Sequence, residues 1–277
     1  MDAYGDDGKI LAGGQSLVPL LNMRLARPAQ LIDMNMCDEL AYARETDGYL
    51  AIGAMTRQRD VEISPLVIQS CPVLSEALHR VGYLQTRYRG TIGGSLAHAD
   101  PSAEIPSALT CLEGTLKVTS ARGERLCTAK EFFLSYLTTS LEPDELLVEV
   151  LIPKSDMREG WAFLELSRRH SDFAIVGVAC TLSLGESDGK IKRARISLGG
   201  VGPIPFCPEQ AVSCLLGEKP SDLLFREAGR IASEEAEPDS DYHASAEYRR
   251  EMVGVLVRRG LEKAMMRVKE KLSDGTA

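Results

Sequence analysis

The chain has 277 residues, 44% of them hydrophobic and 26% charged, with a formal net charge of −8. That composition belongs to a globular protein of one large domain or two ordinary ones, and its acidity argues against the basic face that a nucleic-acid binder needs. No apolar run approaches the ~20 residues of a membrane-spanning helix, and Met1-Asp2-Ala3-Tyr4-Gly5-Asp6-Asp7 lacks the basic and apolar regions of a signal peptide, which makes the cytoplasm the expected compartment.

A strand is expected at about Lys9 to Ala12, almost at the start of the chain. It runs into Leu11-Ala12-Gly13-Gly14-Gln15-Ser16-Leu17, and Leu17 to Arg24 reads as a short helix. A strand, a glycine pair and a helix start make an anion cradle: adjacent glycines let consecutive backbone N–H groups point into one concavity. Ser16 adds a hydroxyl donor and the helix adds the positive end of its dipole. By itself the motif is a weak signal, and most such stretches are ordinary turns.

Gln30 to Met34 reads as a second strand, and Leu40–Glu45 with Tyr49–Gly53 flank the hairpin signal Thr46-Asp47-Gly48. These elements form an expected first lobe, β-α-β-β, over about residues 1–54. Thr56 is placed to cap a helix to about Ile63, broken near Pro65, and a second helix is expected from Val73 to Arg80. Arg87 and Arg89 either neutralise an anion or lie on a solvated face.

Thr91-Ile92-Gly93-Gly94-Ser95-Leu96 repeats the first loop's chemistry, an apolar approach, two glycines and a hydroxyl, 80 positions after Gly13. Two neutral cradles can grip one diphosphate from two sides. Neither loop carries the lysine of a nucleoside-triphosphate loop, which favours a diphosphate that is bound and not cleaved. Ala97-His98-Ala99-Asp100-Pro101-Ser102-Ala103-Glu104 is expected to turn into a helix running to about Cys111, with Asp100 and Glu104 one turn apart. Their carboxylates either accept from sugar hydroxyls or simply favour the helix N-terminus. Strands at about Thr115–Ser120, Arg125–Thr128 and Leu146–Ile152, with a helix near Ala129–Phe133, complete a second lobe over 55–153.

Lys154–Gly160 is charged and without apolar pattern and reads as a linker. Strands follow at Trp161–Leu166, Ile175–Leu184 and Lys190–Leu198, then helices at about Pro208–Leu216, Asp222–Ala236 and Ser245–Lys271. In the last of these, Val253, Leu256, Val257, Leu261, Ala264, Met265 and Val268 recur at helical spacing. Strands followed by helices imply an α+β domain over 160–273 with its helices on one face. The seven cysteines are scattered and form no Cys-x-x-Cys pair, so neither a zinc site nor an iron–sulfur cluster is encoded.

The stretches Ala12–Pro19 and Thr91–Glu104 strongly resemble the FAD-binding medium subunit of molybdenum hydroxylases, a family that includes the carbon monoxide dehydrogenase and xanthine dehydrogenase types. Ser167-Arg168-Arg169-x-x-Asp172-Phe173-Ala174, Gly199-Gly200-Val201-Gly202-x-x-Pro205 and Ser245-Ala246-Glu247-Tyr248-Arg249 extend the resemblance to nearly the whole chain. It implies an α+β, two-lobed, PCMH-type FAD-binding domain (1–153) followed by a smaller α+β domain (160–273). It implies FAD held by Ala12, Gly13, Gly14, Gln15, Ser16, Leu17, Thr91, Ile92, Gly93, Gly94 and Ser95, with Asp100 close to the cofactor and Glu104 along its ribityl chain.

Phe173 takes the place of the aromatic residue that shields the isoalloxazine ring; on residue physics alone it is equally a core phenylalanine. Arg168, Arg169 and Asp172 are either a salt-bridge cluster or contacts to a partner. The resemblance further implies partners, an iron–sulfur small subunit and a large subunit with the molybdenum cofactor, assembled as a dimer of heterotrimers. Electrons would arrive from the iron–sulfur chain and leave to an external acceptor, and no residue need act as acid, base or nucleophile. Relatives usually carry a further helix-containing segment upstream, so a shortened N-terminus is expected. The alternative function is a non-catalytic nucleotide-binding or interaction module that retains the fold.

Overall fold

The structure, a computed structural model, describes residues 8–156, 158–273 and 275. The expected N-terminal segment 1–7 and Met157 of the expected linker lie outside the described residues. Strand β1 (Gly8–Leu11), helix α1 (Leu17–Asn22) and strand β2 (Gln30–Asp33) form a small unit in which the two strands pair in parallel, from Gly8 opposite Gln30 to Leu11 opposite Asp33. Parallel neighbours need a crossover, and the crossover here carries the first glycine pair at the end of β1.

Strands β3 (Ala43–Thr46) and β4 (Tyr49–Gly53) form the expected hairpin, with Asp47 and Gly48 both at positive φ, 35° and 87°. Next come α2 (Gln58–Ile63), α3 (Pro65–Ser70), α4 (Pro72–Leu78), α5 (Leu84–Arg89), α6 (Ile92–His98) and α7 (Glu104–Cys111). Strands β5 (Thr115–Ser120) and β6 (Gly123–Thr128), helix α8 (Ala129–Phe132), the small hairpin β7 (Phe133–Ser135) and β8 (Thr138–Thr139), and strand β9 (Leu146–Pro153) complete this part. The large sheet has the order β3-β4-β9-β5-β6.

The hairpin β3–β4 therefore belongs to the second lobe's sheet, and the lobe boundary expected near residue 54 falls ahead of β3. Leu50, Ala51 and Ile52 are fully buried, which an isolated hairpin cannot achieve; pairing β4 with β9 encloses them. Thr56 does not cap α2. Its hydroxyl donates to the carbonyls of Tyr42 and Gly53 instead, and Arg57 occupies the cap position. Pro65 starts a further helix, α3, capped by Ser64. The helix expected to grow out of Ala97–Glu104 does end at Cys111 but begins only at Glu104, after Ala99 at φ 52°, so Asp100 and Glu104 do not share a helical turn. Asp100 thus lies in the turn before α7, where its Oδ1 accepts from the Ser102 amide at 2.8 Å.

Strand β10 (Glu159–Leu166) starts inside the expected linker and pairs with β11 (Val176–Leu184), which pairs with β12 (Ile191–Gly199); all pairings are antiparallel. Helices α9 (Glu209–Leu215), α10 (Asp222–Glu235) and α11 (Ala246–Ser273) follow. The whole apolar stripe read from the last helix, Val253 to Val268, is buried. Strand β11 is buried along almost its full length because α11 covers one face and α4 and α7 the other, so it reads as a continuous apolar run. The two parts of the chain are latched by Glu76 of α4, whose carboxylate accepts from Lys263, from Arg267 Nη1 at 2.7 Å and from the Phe163 amide at 3.2 Å. No helix of the described residues is long and apolar enough to cross a membrane.

Candidate functional site

The first glycine loop borders a cleft of about 340 Å³ lined by Leu11, Ala12, Gly13, Gly14, Gln15, Val18, Pro19, Asn22, Asn35 and Arg89. Gly14 is at φ +73°, which reverses the chain between strand and helix. Among the described residues, the backbone N–H groups of Gly13, Gly14, Gln15 and Ser16 donate to nothing within the protein. The Ser16 hydroxyl is not used as a helix cap either. Four successive donors with no protein acceptor, three of them on residues that line the cleft, form an anion nest.

The two glycine loops converge. A Cβ on Gly13 would collide with the carbonyl oxygen of Arg89 and lie 2.7 Å from the Cα of Gly90; one on Gly94 would lie 3.5 Å from the Ala12 Cβ. Their roles differ, however. In the second loop the amides are already engaged: Gly93 N donates to Ala54 O at 2.8 Å, and Gly94 N donates to the hydroxyl of Thr91, the N-cap of α6. A Cβ on Gly93 would lie 2.5 Å from the Ala54 Cβ. The second glycine pair is thus not a second nest; it lets α6 pack against the end of β4 and the first loop. Ile92 is a core side chain, and the hydroxyl of Ser95 on α6 has no hydrogen-bond partner among the described residues.

Arg87, one candidate for neutralising an anion, is removed from the cleft. It is buried and donates to Glu62 Oε2 at 2.8 Å and to the carbonyls of Val81 and Gly82. Arg89 lines the cleft. Sequence reading missed Asn35 and Arg57, which connect the loops. Asn35 follows a strand as a turn residue, a weak signal; Arg57 carries no local signal.

Helix α6, about 10 Å long at 1.5 Å per residue, leads from the glycine loops to the turn 100–104. There Gly200 N donates to Pro101 O at 2.8 Å, and the carbonyls of Ala174 and Ile175 pack against Gly200. This brings Ala174 and Ile175, the two residues after Phe173, close to the turn that precedes Glu104. Phe173 is 64% exposed, so it is not a core residue. Arg168, Arg169 and Asp172 form no ion pair with one another among the described residues; Arg168 instead donates to the carbonyls of Tyr242 and His243.

Glu104 is buried at the start of α7, and burial pushes its carboxyl up to about 8. Glu165 and Asp100 add to this, while its own backbone N–H and Arg87 oppose it. Glu165 on β10 is likewise pushed up to about 7 by burial, against Arg80 and Ser167, and its Oε2 is buried with no hydrogen-bond partner. Glu104 is thus held mainly in its protonated, donor-capable form at neutral pH, while Glu165, from the other part of the chain and close enough to act on it electrostatically, is near its titration midpoint. Polar groups so placed fit an elongated cofactor bearing a diphosphate at one end and hydroxyls further along. The described residues contain no group of three or more His, Cys, Asp or Glu side chains able to hold a metal ion, and all seven cysteines are free thiols.

The fold and the nest define a two-part α+β protein with a cleft suited to the diphosphate of a dinucleotide-sized cofactor. Residues 1–155 match the family described as the FAD binding domain in molybdopterin dehydrogenase, and residues 161–264 match the carbon monoxide dehydrogenase flavoprotein C-terminal domain. The chain is 43% identical over 265 residues to the 6-hydroxypseudooxynicotine dehydrogenase complex subunit alpha of Paenarthrobacter nicotinovorans, covering 96% of this chain and 89% of that relative. It is 36% identical to the carbon monoxide dehydrogenase medium chain of Hydrogenophaga pseudoflava, covering 95% and 91%.

Among solved structures, the carbon monoxide dehydrogenase of Hydrogenophaga pseudoflava lacking the Mo-pyranopterin moiety superposes with a TM-score of 0.92 at 36% identity, over 96% of this chain and 92% of that one. Quinoline 2-oxidoreductase of Pseudomonas putida 86 superposes with 0.90 at 36% identity, over 95% and 90%. The chain belongs to the FAD-binding medium subunits of molybdenum hydroxylases. It is the flavin-carrying, electron-transferring component of an oxidoreductase, and FAD is its cofactor.

Proposed function

We propose that the FAD diphosphate rests on the amides of Gly13, Gly14, Gln15 and Ser16, within the loop Ala12–Leu17. The second loop, Thr91–Ser95, closes the cleft from the other side, Asp100 and Glu104 hold the ribityl hydroxyls, and Phe173 covers the ring. Bound FAD supplies the ability to accept electrons one at a time or in pairs and to release them to a second acceptor. The chain's own residues bind, orient and shield. The nest holds the diphosphate without a covalent contact, and Glu104, kept protonated by burial, donates a hydrogen bond to a cofactor hydroxyl. The four unengaged amides over the cleft, with Gly13 packed on Arg89, carry this reading.

In the same reading the electrons come from an iron–sulfur small subunit, which is in turn served by a molybdenum-bearing large subunit, in a cytoplasmic dimer of heterotrimers. Leu134 on β7 and Tyr136, Leu137, Phe173 and Tyr242 on loops are exposed, and in this reading they border the ring end of the site. Those loops are tied by Leu137 N to Ala99 O, by Tyr136 Oη to Asp239 and by Arg168 to Tyr242 O. An apolar surface of this kind suits a docking partner. Purified protein is expected to be yellow, to bleach with dithionite and to recover its flavin absorbance with an electron acceptor. A colourless chain that takes up no added FAD would instead favour an interaction module that keeps only the fold.

A further inference from the structure

Something must hold the first glycine loop at a fixed distance from the second, because neither loop bonds the other through its own amides. The described residues offer one connector. Arg57 Nη1 donates to the Arg89 carbonyl at 2.6 Å, the carbonyl against which Gly13 packs. Its Nη2 donates to Asn35 Oδ1 at 2.8 Å, and Asn35 Nδ2 donates in turn to the Ala12 carbonyl at 3.0 Å and to Asp33 Oδ1 at 2.6 Å. The Arg57 backbone bridges to Thr91, the residue that opens the second loop.

One guanidinium thus reaches Ala12 through Asn35 on one side and Arg89 directly on the other. Every hydrogen-bonding group of the Asn35 amide is aimed by these contacts. No carboxylate lies within ion-pair distance of Arg57 among the described residues, although the fork of a guanidinium is well suited to one. Its donors go to neutral acceptors, and the negative charge it acts on is the Asp33 carboxylate, one step away across Asn35.

We propose that Arg57, acting through Asn35, is the positioning residue that sets the geometry of the Gly13–Ser16 nest for a diphosphate. The inference rests on the flavin reading above. A fork that joins two acceptors cannot be replaced by a point charge: lysine keeps the charge and reaches one acceptor only. A nest whose amides are misdirected loses diphosphate affinity while the apolar surroundings of the ring end stay as they were.

The test uses the full chain stripped of flavin, titrated with FAD, ADP and riboflavin and followed by flavin fluorescence or calorimetry. Arg57→Ala and Asn35→Ala are each expected to weaken FAD and ADP by about 10- to 100-fold, as loss of charge-assisted hydrogen bonds implies, with riboflavin binding unchanged. The double variant should be no worse than the poorer single one. Arg57→Lys should fall between wild type and Arg57→Ala. Equal losses for riboflavin and ADP, additive single effects, or full rescue by lysine would each overturn the proposal.

Amide hydrogen exchange at Val18 and Met34, whose N–H groups donate to the carbonyls of Gly14 and Leu11 at the two ends of the loop, separates this proposal from the flavin reading when followed in the flavin-free chain. Faster exchange in Arg57→Ala supports the pin even if wild type takes up no FAD, which would sink only the flavin reading. Unchanged exchange there overturns the pin.

Discussion

Glu104 is the group whose behaviour depends most on how the site is assembled. Burial, then Glu165 and Asp100, move its carboxyl from 4.5 to about 8. A carboxyl with a folded pKa above its unfolded one binds more protons when folded, so its contribution to stability is complete below about pH 4.5 and is lost as pH rises towards 8. At 1.36 kcal/mol per unit, the shift corresponds at most to about 5 kcal/mol. Glu165, raised to about 7, titrates in the same interval and is one of the charges raising Glu104, so the pair loses its protons as a coupled unit.

Glu104→Gln keeps the shape and removes the titration. Urea unfolding of the flavin-free chain at several pH values from 5 to 8 reads the difference. Wild type is expected to lose stability throughout that range. The variant should keep only the Glu165 part of the decline, levelling off near pH 7, and should exceed wild type at pH 8. Glu62, Glu145 and Asp241 do not confuse the result: their carboxyls are held below the usual range, so their contributions are present above about pH 5 and are lost only in acid. Parallel curves for wild type and Glu104→Gln between pH 5 and 8 would refute the reasoning, because they would mean the site accommodates an ionised carboxylate at no cost.

Gly93→Val should destabilise the chain with or without flavin, because its side chain meets Ala54 and overpacking of this kind costs about 1–3 kcal/mol or more; thermal melting with and without FAD checks it, and unaltered melting and flavin retention would contradict the convergence of the loops. Gly13→Ala, in contrast, should abolish flavin retention by forcing the first loop away from Arg89, read as loss of visible absorbance after gel filtration. Phe173→Ala should change the rate of flavin reoxidation by acceptors more than FAD affinity, since this side chain is exposed and supports no core. An unchanged stopped-flow rate would remove Phe173 from the site.

Local chemistry made much of the chain legible from its residues alone. The glycine pair after β1, the Asp47-Gly48 turn, the stripe of α11 and the continuous apolar strand β11 each follow from the conformational or burial preferences of neighbouring residues, and the motifs they bracket named the family. Long-range packing decided the rest. Nothing in Tyr49–Gly53 tells that β4 pairs with β9, so the lobe boundary moved. The two glycine pairs look alike in sequence, yet one leaves its amides open to the cleft while the other uses them on Ala54 and Thr91. Arg87 and Arg89, two residues apart, part company because Glu62 captures one of them. Glu165 and Arg57 have no local signature and Asn35 only that of a turn residue, since a side chain's role is set by which groups the folded chain brings within about 3 Å of it, and the decisive ones come from elements far away in sequence.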